Sequence, residues 1–315
     1  MTGRQSRELP FLPAPGEGEV RLRVAAIGVN RSETYHRAGF YGPAQLPSPL
    51  GFEAAGVVED VGTGVTAFEC GDAVTVLPSV RPLRFGTYGE TILVPDVAVV
   101  AQPPELSAVE AAALWVAHLT AYAPLVEIAE VGPGDVVLIN AASSSVGLAA
   151  ISIVRRLNAT PVALTRTRRK ADLLLRLGAE AVIVTDEEDV VGRTHALTAG
   201  AGARVAFDAV AGPALTTLLH ALAPGGIVIQ YGLLSQEPML FPLDVSARRL
   251  TITGYGLDLA TDTELRRRAY RFVKDGVAAG AFRPVVADTF PLSAAAEAHA
   301  VLERNTHVGK IVLLP

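Results

Sequence analysis

The chain has 315 residues, half of them apolar, with 29 glycines, 21 prolines, one cysteine and a formal net charge of −5. A chain of this size sits where one hydrophobic core gives way to two. The lone Cys70 excludes an intrachain disulfide framework and a thiolate zinc cluster, and the acidic balance gives no general attraction to nucleic acid or to an anionic membrane.

Residues 1–19 read as a polar, Pro/Gly-rich lead-in without the apolar core of a signal peptide. β-rich runs follow at 20–29, 54–62, 72–77 and 88–94, parted by glycine-marked turns. No helical period longer than two turns occurs before residue 105, so the first hundred residues read as a compact, mostly β unit. At Ser107 the register changes. Ser107 and Glu110 form a capping box ahead of small and apolar residues at helical spacing. The richest apolar stretch, 111–126, is read as too short to cross a bilayer and contains His118 and Thr120.

From Asp135 short apolar strands at 136–140, 161–165, 181–184, 204–210 and 225–232 alternate with helices, including 146–157, 168–177 and 214–222. Strands buried on both faces with helices between them predict an α/β fold, a doubly wound parallel sheet. LTITGY (250–255), an amphipathic helix near 262–279, a helix over 293–303 and a last β-run, 309–315, complete the chain. That last run could join either the parallel sheet or the N-terminal β unit.

The strongest local signal is strand–turn–helix over 136–157. Small residues at such a turn let backbone approach a pyrophosphate, and the free N–H groups opening the helix receive its charge. Ala141, Ser144 and Gly147 stand at the three fingerprint steps, within the Ser143–Ser144–Ser145–Val146–Gly147 turn. Gly147 suits helix–strand packing, and the Ser144 hydroxyl could donate to a phosphate.

The next strand ends in Thr165, followed by Arg166, Thr167, Arg168, Arg169 and Lys170, with no acid before Asp172. An acid there would hold a ribose 2′-OH, whereas cations and hydroxyls suit a 2′-phosphate and so NADP(H). The alternative is a solvated helix start, although cations there oppose the helix dipole unless an anion shares the site. Asp208, Tyr231 and Gly232 lie at carboxyl ends of later strands, where a cofactor crevice is expected. Asp208 could equally cap the next helix. The six histidines show no metal-ligand spacing, so no metal site is expected.

The motifs GVNRSETYHRAGFYG (28–42), LGFEAAGVVEDVGTGVTAFECGDAV (50–74), GTYGE (86–90), NAASSSVGLAA (140–150), AFDAVAG (206–212), LAPGGIVIQYG (222–232) and HVGKIV (307–312) stand in family order. Together they resemble the medium-chain dehydrogenase/reductase superfamily, in its zinc-free quinone oxidoreductase and enoyl reductase branch. The resemblance implies a GroES-like β-rich substrate domain built from both chain ends (1–106 and 250–315) and a Rossmann NADP(H)-binding domain (107–249). It also implies an active site in the cleft, return of the last strand to the first domain, and a homodimer through the Rossmann sheets. Asn30 stands where the zinc branch has a ligand cysteine, and Phe52 where it has a ligand histidine. By the same resemblance Asn30, Tyr41 and Thr120 lie near nicotinamide or substrate, Lys170 near the 2′-phosphate, and Val146–Gly147 near the pyrophosphate.

The implied activity is NADPH-dependent reduction of an activated C=C bond in a quinone, enone or related conjugated carbonyl, in the cytoplasm. Tyr41 and Asn30 are the expected hydrogen-bonding groups, Thr120 contacts the nicotinamide ribose, and Tyr35, Phe52 and Trp115 line or support the substrate cleft. The lead-in MTGRQSRELPFLPAPG stands where relatives have a first strand that frames the cleft, which leaves the substrate class open. Two other readings remain: a biosynthetic tailoring reductase for a larger, polyketide-like substrate, and a noncatalytic NADPH-binding sensor or scaffold.

Overall fold

The computed structural model describes residues 12–41, 48–78, 85–257 and 262–315. Most of the lead-in that clouds the substrate class, 1–11, lies outside them.

The chain runs β1 (Glu19–Gly28), α1 (Arg31–Arg37), β2 (Glu53–Val61), β3 (Ala73–Val76), β4 (Thr91–Pro95), β5 (Val99–Ala101), α2 (Ala108–Ala111) and α3 (Trp115–Tyr122). It continues through β6 (Val136–Ile139), α4 (Ser145–Arg156), β7 (Thr160–Thr165), α5 (Ala171–Arg176), β8 (Ala181–Val184), α6 (Val190–Leu197), β9 (Ala203–Asp208), α7 (Ala214–Ala221) and β10 (Leu222–Gln230). The last elements are β11 (Thr251–Gly254), α8 (Thr263–Ala278), β12 (Val286–Pro291), α9 (Ala295–Arg304) and β13 (Lys310–Leu314). By internal packing it divides into two units, Met1–Val116 with Asp258–Pro315, and Ala117–Leu257.

In the first unit seven strands form one sheet of order β12-β13-β1-β2-β3-β5, with β4 on β1. Strand β13 pairs antiparallel with β1, so the last β-run joins the N-terminal unit. Alternating apolar residues of β1 (Val20, Leu22, Val24), with Val58, Val74, Val94 and Ile311, supply its core. Each such fully buried side chain stabilises the unit by about 1.5–3 kcal/mol relative to exposure.

The second unit holds six strands in the order β11-β10-β9-β6-β7-β8, all paired parallel. The order reverses between β6 and β9, and such a reversal opens a crevice beyond the carboxyl ends of the strands. Leu138, Val162, Leu164, Ile183, Ala206 and Val228 are buried on one face of this sheet, and Val137, Ile139, Ala163, Val205, Phe207 and Ile229 on the other. That burial explains why these strands read as continuous apolar runs.

The capping box at Ser107 forms: its Oγ accepts from Glu110 N at 3.3 Å, and Glu110 Oε2 accepts from Ser107 N at 3.0 Å. The apolar stretch beyond it needs a correction. Helical turns run on to give Ala108–Ile128, 21 residues long and apolar enough to cross a membrane by length and composition. Its most apolar window is 78% buried inside the fold, which makes it a core helix.

Candidate active site

Strand β6 delivers Asn140 to the turn ahead of α4. Its Oδ1 accepts from Ala141 N at 2.9 Å and its Nδ2 donates to Asp208 Oδ1 at 2.9 Å. The first of these supports Ala141 in a left-handed conformation (φ +50°), which costs a non-glycine residue about 1 kcal/mol or more. Ser144 caps α4, its Oγ accepting from Gly147 N at 3.1 Å, which leaves the hydroxyl hydrogen to donate elsewhere. A Cβ on Gly147 would lie 2.7 Å from both Ala141 O and Ala142 Cα, so only glycine lets the helix sit this close to the turn.

Two observations fit an anionic dinucleotide at this turn. Tyr231 stacks on Phe207 at 4.0 Å, and its hydroxyl is buried near Ser144 without a well-formed hydrogen bond. Burial, helped by the Asp208 carboxylate, pushes that phenol well up, so it stays a donor. Lys170 Nζ meanwhile donates to Ser143 Oγ at 2.9 Å, tying the end of β7 to the serine turn. Burial, then repulsion from Arg166 and Arg169, lowers the Lys170 ammonium. A cluster of cations that weaken one another is what a phosphate dianion relieves.

Other cofactor candidates divide. Arg166 and Thr167 are exposed beside Lys170, whereas Thr165 is buried at the strand end. Arg168 is withdrawn from the cluster by an ion pair with Glu187 at 2.7 Å. Asp208 needs correction as a cofactor ligand. It is wholly buried, with Oδ1 accepting from Val210 N and Oδ2 from Ala211 N, both at 2.9 Å, so it braces the turn after β9. Gly232 passes close to that turn, since a Cβ there would lie 2.7 Å from Ala209 O. Ser145 and Val146 open α4 half-buried.

The first unit carries a different polar cluster. Asn30 follows β1 and opens α1. Its Nδ2 donates to Gly28 O at 3.1 Å and reaches Glu33 Oε1 and Glu53 Oε1, both at 3.3 Å. Its Oδ1 accepts from Lys310 Nζ at 2.6 Å, and Lys310 also donates to Glu53 Oε1. Glu53 Oε2 accepts from Val116 N at 2.8 Å. A Cβ on Gly28 would strike Ala112 O at 2.2 Å and Glu53 Oε1 at 2.7 Å, so the cluster needs glycine there.

Glu33 extends the cluster. Its Oε2 accepts from Asn30 N at 2.9 Å and from the Tyr88 hydroxyl at 2.6 Å. Arg37 donates to His299 Nδ1 at 2.7 Å, which leaves His299 Nε2–H to donate to Tyr88 Oη at 2.9 Å. Burial lifts the Glu33 carboxyl to about 7 against the hydrogen bonds from Asn30 and Tyr88 and the charge of Lys310.

Asn30, expected as a donor to substrate, thus has its N–H groups committed inward; that part of the expectation is corrected. Trp115 is also corrected as a cleft-lining residue. It is fully buried, donates from Nε1 to Thr75 Oγ1 at 2.8 Å and stacks on Tyr270 at 5.4 Å. Tyr41 is 63% exposed and packs edge-on to both Tyr35 and Phe40, with ring centroids 5.2–6.4 Å apart in the group. Phe52 is half-buried just before β2, and Thr120 half-buried on α3.

Sequence reading missed Glu33, Glu53, Tyr88, His299 and Lys310. Two carried a signal. Asn30 and Glu33 have capping-box spacing, and a lysine opening the apolar strand KIVLL requires a buried partner.

Residues 16–104 match the alcohol dehydrogenase GroES-like domain and residues 177–313 the family described as zinc-binding dehydrogenase. A 2-haloacrylate reductase from a Burkholderia species is 37% identical over 96% of this chain and 92% of its own. The chain belongs to the medium-chain dehydrogenase/reductase superfamily, in its quinone oxidoreductase branch. Among solved superfamily structures, Escherichia coli quinone oxidoreductase complexed with NADPH superposes with a TM-score of 0.87 at 31% identity, covering 98% of this chain and 95% of that one. An NAD-dependent alcohol dehydrogenase superposes at 0.90, also with 31% identity and coverages of 98% and 95%. Neighbours of this superfamily therefore differ in nicotinamide cofactor.

Proposed function

We propose that this chain is an NADPH-dependent oxidoreductase that reduces the activated C=C bond of a conjugated carbonyl, a quinone or an enone. The observation that carries the reading is the Lys170–Ser143 tie with Arg166 and Arg169 around it, on a member of a family of quinone and haloacrylate reductases. Lys170, Arg166 and the exposed Thr167 hydroxyl would hold the 2′-phosphate, and Ser144, Ser145 and the N–H groups opening α4 the pyrophosphate. Tyr231 would donate to the cofactor from beside Ser144.

When bound, NADPH supplies a hydride to the β-carbon of the acceptor. The chain's task is then to stabilise the negative charge gathering on the carbonyl oxygen, and preorganised donors do so with little reorganisation. Tyr41 is the donor favoured here, because its side chain is exposed while the Asn30 N–H groups are engaged. As an ordinary phenol it is protonated at neutral pH and can donate. Tyr35 and Phe52 would flank an aromatic acceptor, and Thr120 would meet the nicotinamide ribose.

Zinc independence rests on Asn30 and Phe52 at the positions of the zinc branch's cysteine and histidine ligands. A homodimer is supported by the edge strand β11, which exposes Ile252, and by the exposed Met239, Leu240, Phe241 and Leu243 in the segment between β10 and β11. A cytoplasmic setting suits a chain with one unpaired cysteine.

The test is NADPH consumption with a panel of quinones, enones and simple aldehydes. Turnover of the conjugated acceptors alone supports the reading. Tight NADPH binding without turnover of any panel member would transfer the case to a sensor or scaffold, and turnover of only bulky conjugated substrates to a tailoring reductase.

A further inference from the structure

The Asn30 side chain can be oriented without ambiguity. An amide oxygen and an amide nitrogen occupy similar space, so their assignment rests on partners. Lys310 Nζ, 2.6 Å away on one side, has only hydrogens to offer and requires the oxygen. Gly28 O, Glu33 Oε1 and Glu53 Oε1, at 3.1–3.3 Å on the other, accept and require the nitrogen. A flipped amide would face N–H to ammonium and oxygen to three acceptors. Lys310, Glu53 and Glu33 are each no more than 1% exposed, so no water compensates such a mismatch.

We propose that Lys310 is a positioning residue that fixes the polarity of the Asn30 amide, so that Asn30 meets a bound ligand only as an acceptor. Whatever capacity Asn30 retains lies on Oδ1. Its partner is then a donor, such as an amide N–H or a hydroxyl of cofactor or substrate, and the hydrogen bond to an enolate oxygen comes from another group. Lys310 reaches Asn30 because β13 lies antiparallel on β1, with Val312 opposite Gly28. Two segments 280 residues apart thereby form one device. The statement about Asn30 polarity stands on this geometry alone, whereas its effect on turnover rests on the reductase reading above.

The experiment uses the full chain with asparagine side chains labelled with 15N, and the proton-exchange rate of the Asn30 amide as its readout. In the wild type these protons are expected to be resolved and slow to exchange, with and without NADPH. Lys310→Arg keeps a cation and should retain the protection. The paired variant Lys310→Met/Glu53→Gln removes both charges together, so neither is left buried alone. It should accelerate Asn30 exchange about tenfold or more. Its turnover of 1,4-naphthoquinone with NADPH should fall about tenfold in kcat, with KM for NADPH within about twofold. Lys310→Arg should rescue kcat to within about threefold of the wild type.

Fast exchange of the Asn30 protons in the folded wild type would overturn the proposal, as would a folded paired variant that keeps both protection and kcat. If the paired variant does not fold, the wild-type and Lys310→Arg exchange rates decide. Slow exchange in a wild type that reduces no quinone would leave the polarity of Asn30 supported and the reductase reading refuted.

Discussion

The two polar clusters of this chain handle charge in opposite ways. In the first unit Lys310, Glu53, Glu33 and Asn30 lie out of water and satisfy one another, down to the His299 tautomer two bonds away. In the second unit Arg166 and Arg169 both repel the half-buried Lys170 at the end of β7, while Arg168 pairs with Glu187. The difference follows from solvation. A buried charge without a partner costs several kcal/mol, so a buried cluster must be completed by the chain itself. Water screens like charges near the surface, so such a cluster is tolerated at small cost. Self-sufficiency suits the first cluster to a framework, and like charge suits the second to the phosphate proposed above.

The cations after β7 should give the largest effect. The double variant Arg166→Ala/Lys170→Ala should lose about 4 kcal/mol of NADPH binding, roughly a thousandfold in Kd, with NADH affinity little changed. Equal wild-type affinity for NADH and NADPH, measured by fluorescence titration, would mean that these charges serve no 2′-phosphate.

The framework cluster should show itself through pH. The Glu33 carboxyl rises from 4.5 to about 7 on folding. Its contribution to stability is therefore full below the unfolded value and is lost as pH climbs through the folded one, an expected change of about 3 kcal/mol. Denaturant melts of Glu33→Gln should lack that slope between these values. Identical pH profiles for variant and wild type would show that Glu33 ionises without cost and that the cluster is less dry than its burial implies.

At the turn that the second cluster serves, Gly147→Ala should destabilise the chain by about 2 kcal/mol by forcing α4 away from Ala141 and Ala142. NADPH affinity should fall with it, and a melt with unchanged midpoint would deny the close approach. Ser143→Ala is the mildest probe. It removes the Lys170 tether and should weaken NADPH by about 1 kcal/mol, about fivefold. Unaltered affinity would mean that Lys170 is positioned by something else.

Local patterns determined much of the fold by themselves. Apolar runs alternating with helical segments fix β6 to β10, Ser107 and Glu110 fix a helix start, and Gly147 with the cations after Thr165 carry the pattern of a dinucleotide turn, because each needs only neighbours in sequence. Tertiary structure decided matters that depend on distant segments. It joined β13 to β1, buried Trp115 against Tyr270, committed Asp208 to the turn after β9 and brought Lys310 to Asn30. A residue type states what a side chain is able to donate or accept. Which of those capacities is already used depends on the partners that folding brings within about 3 Å of it.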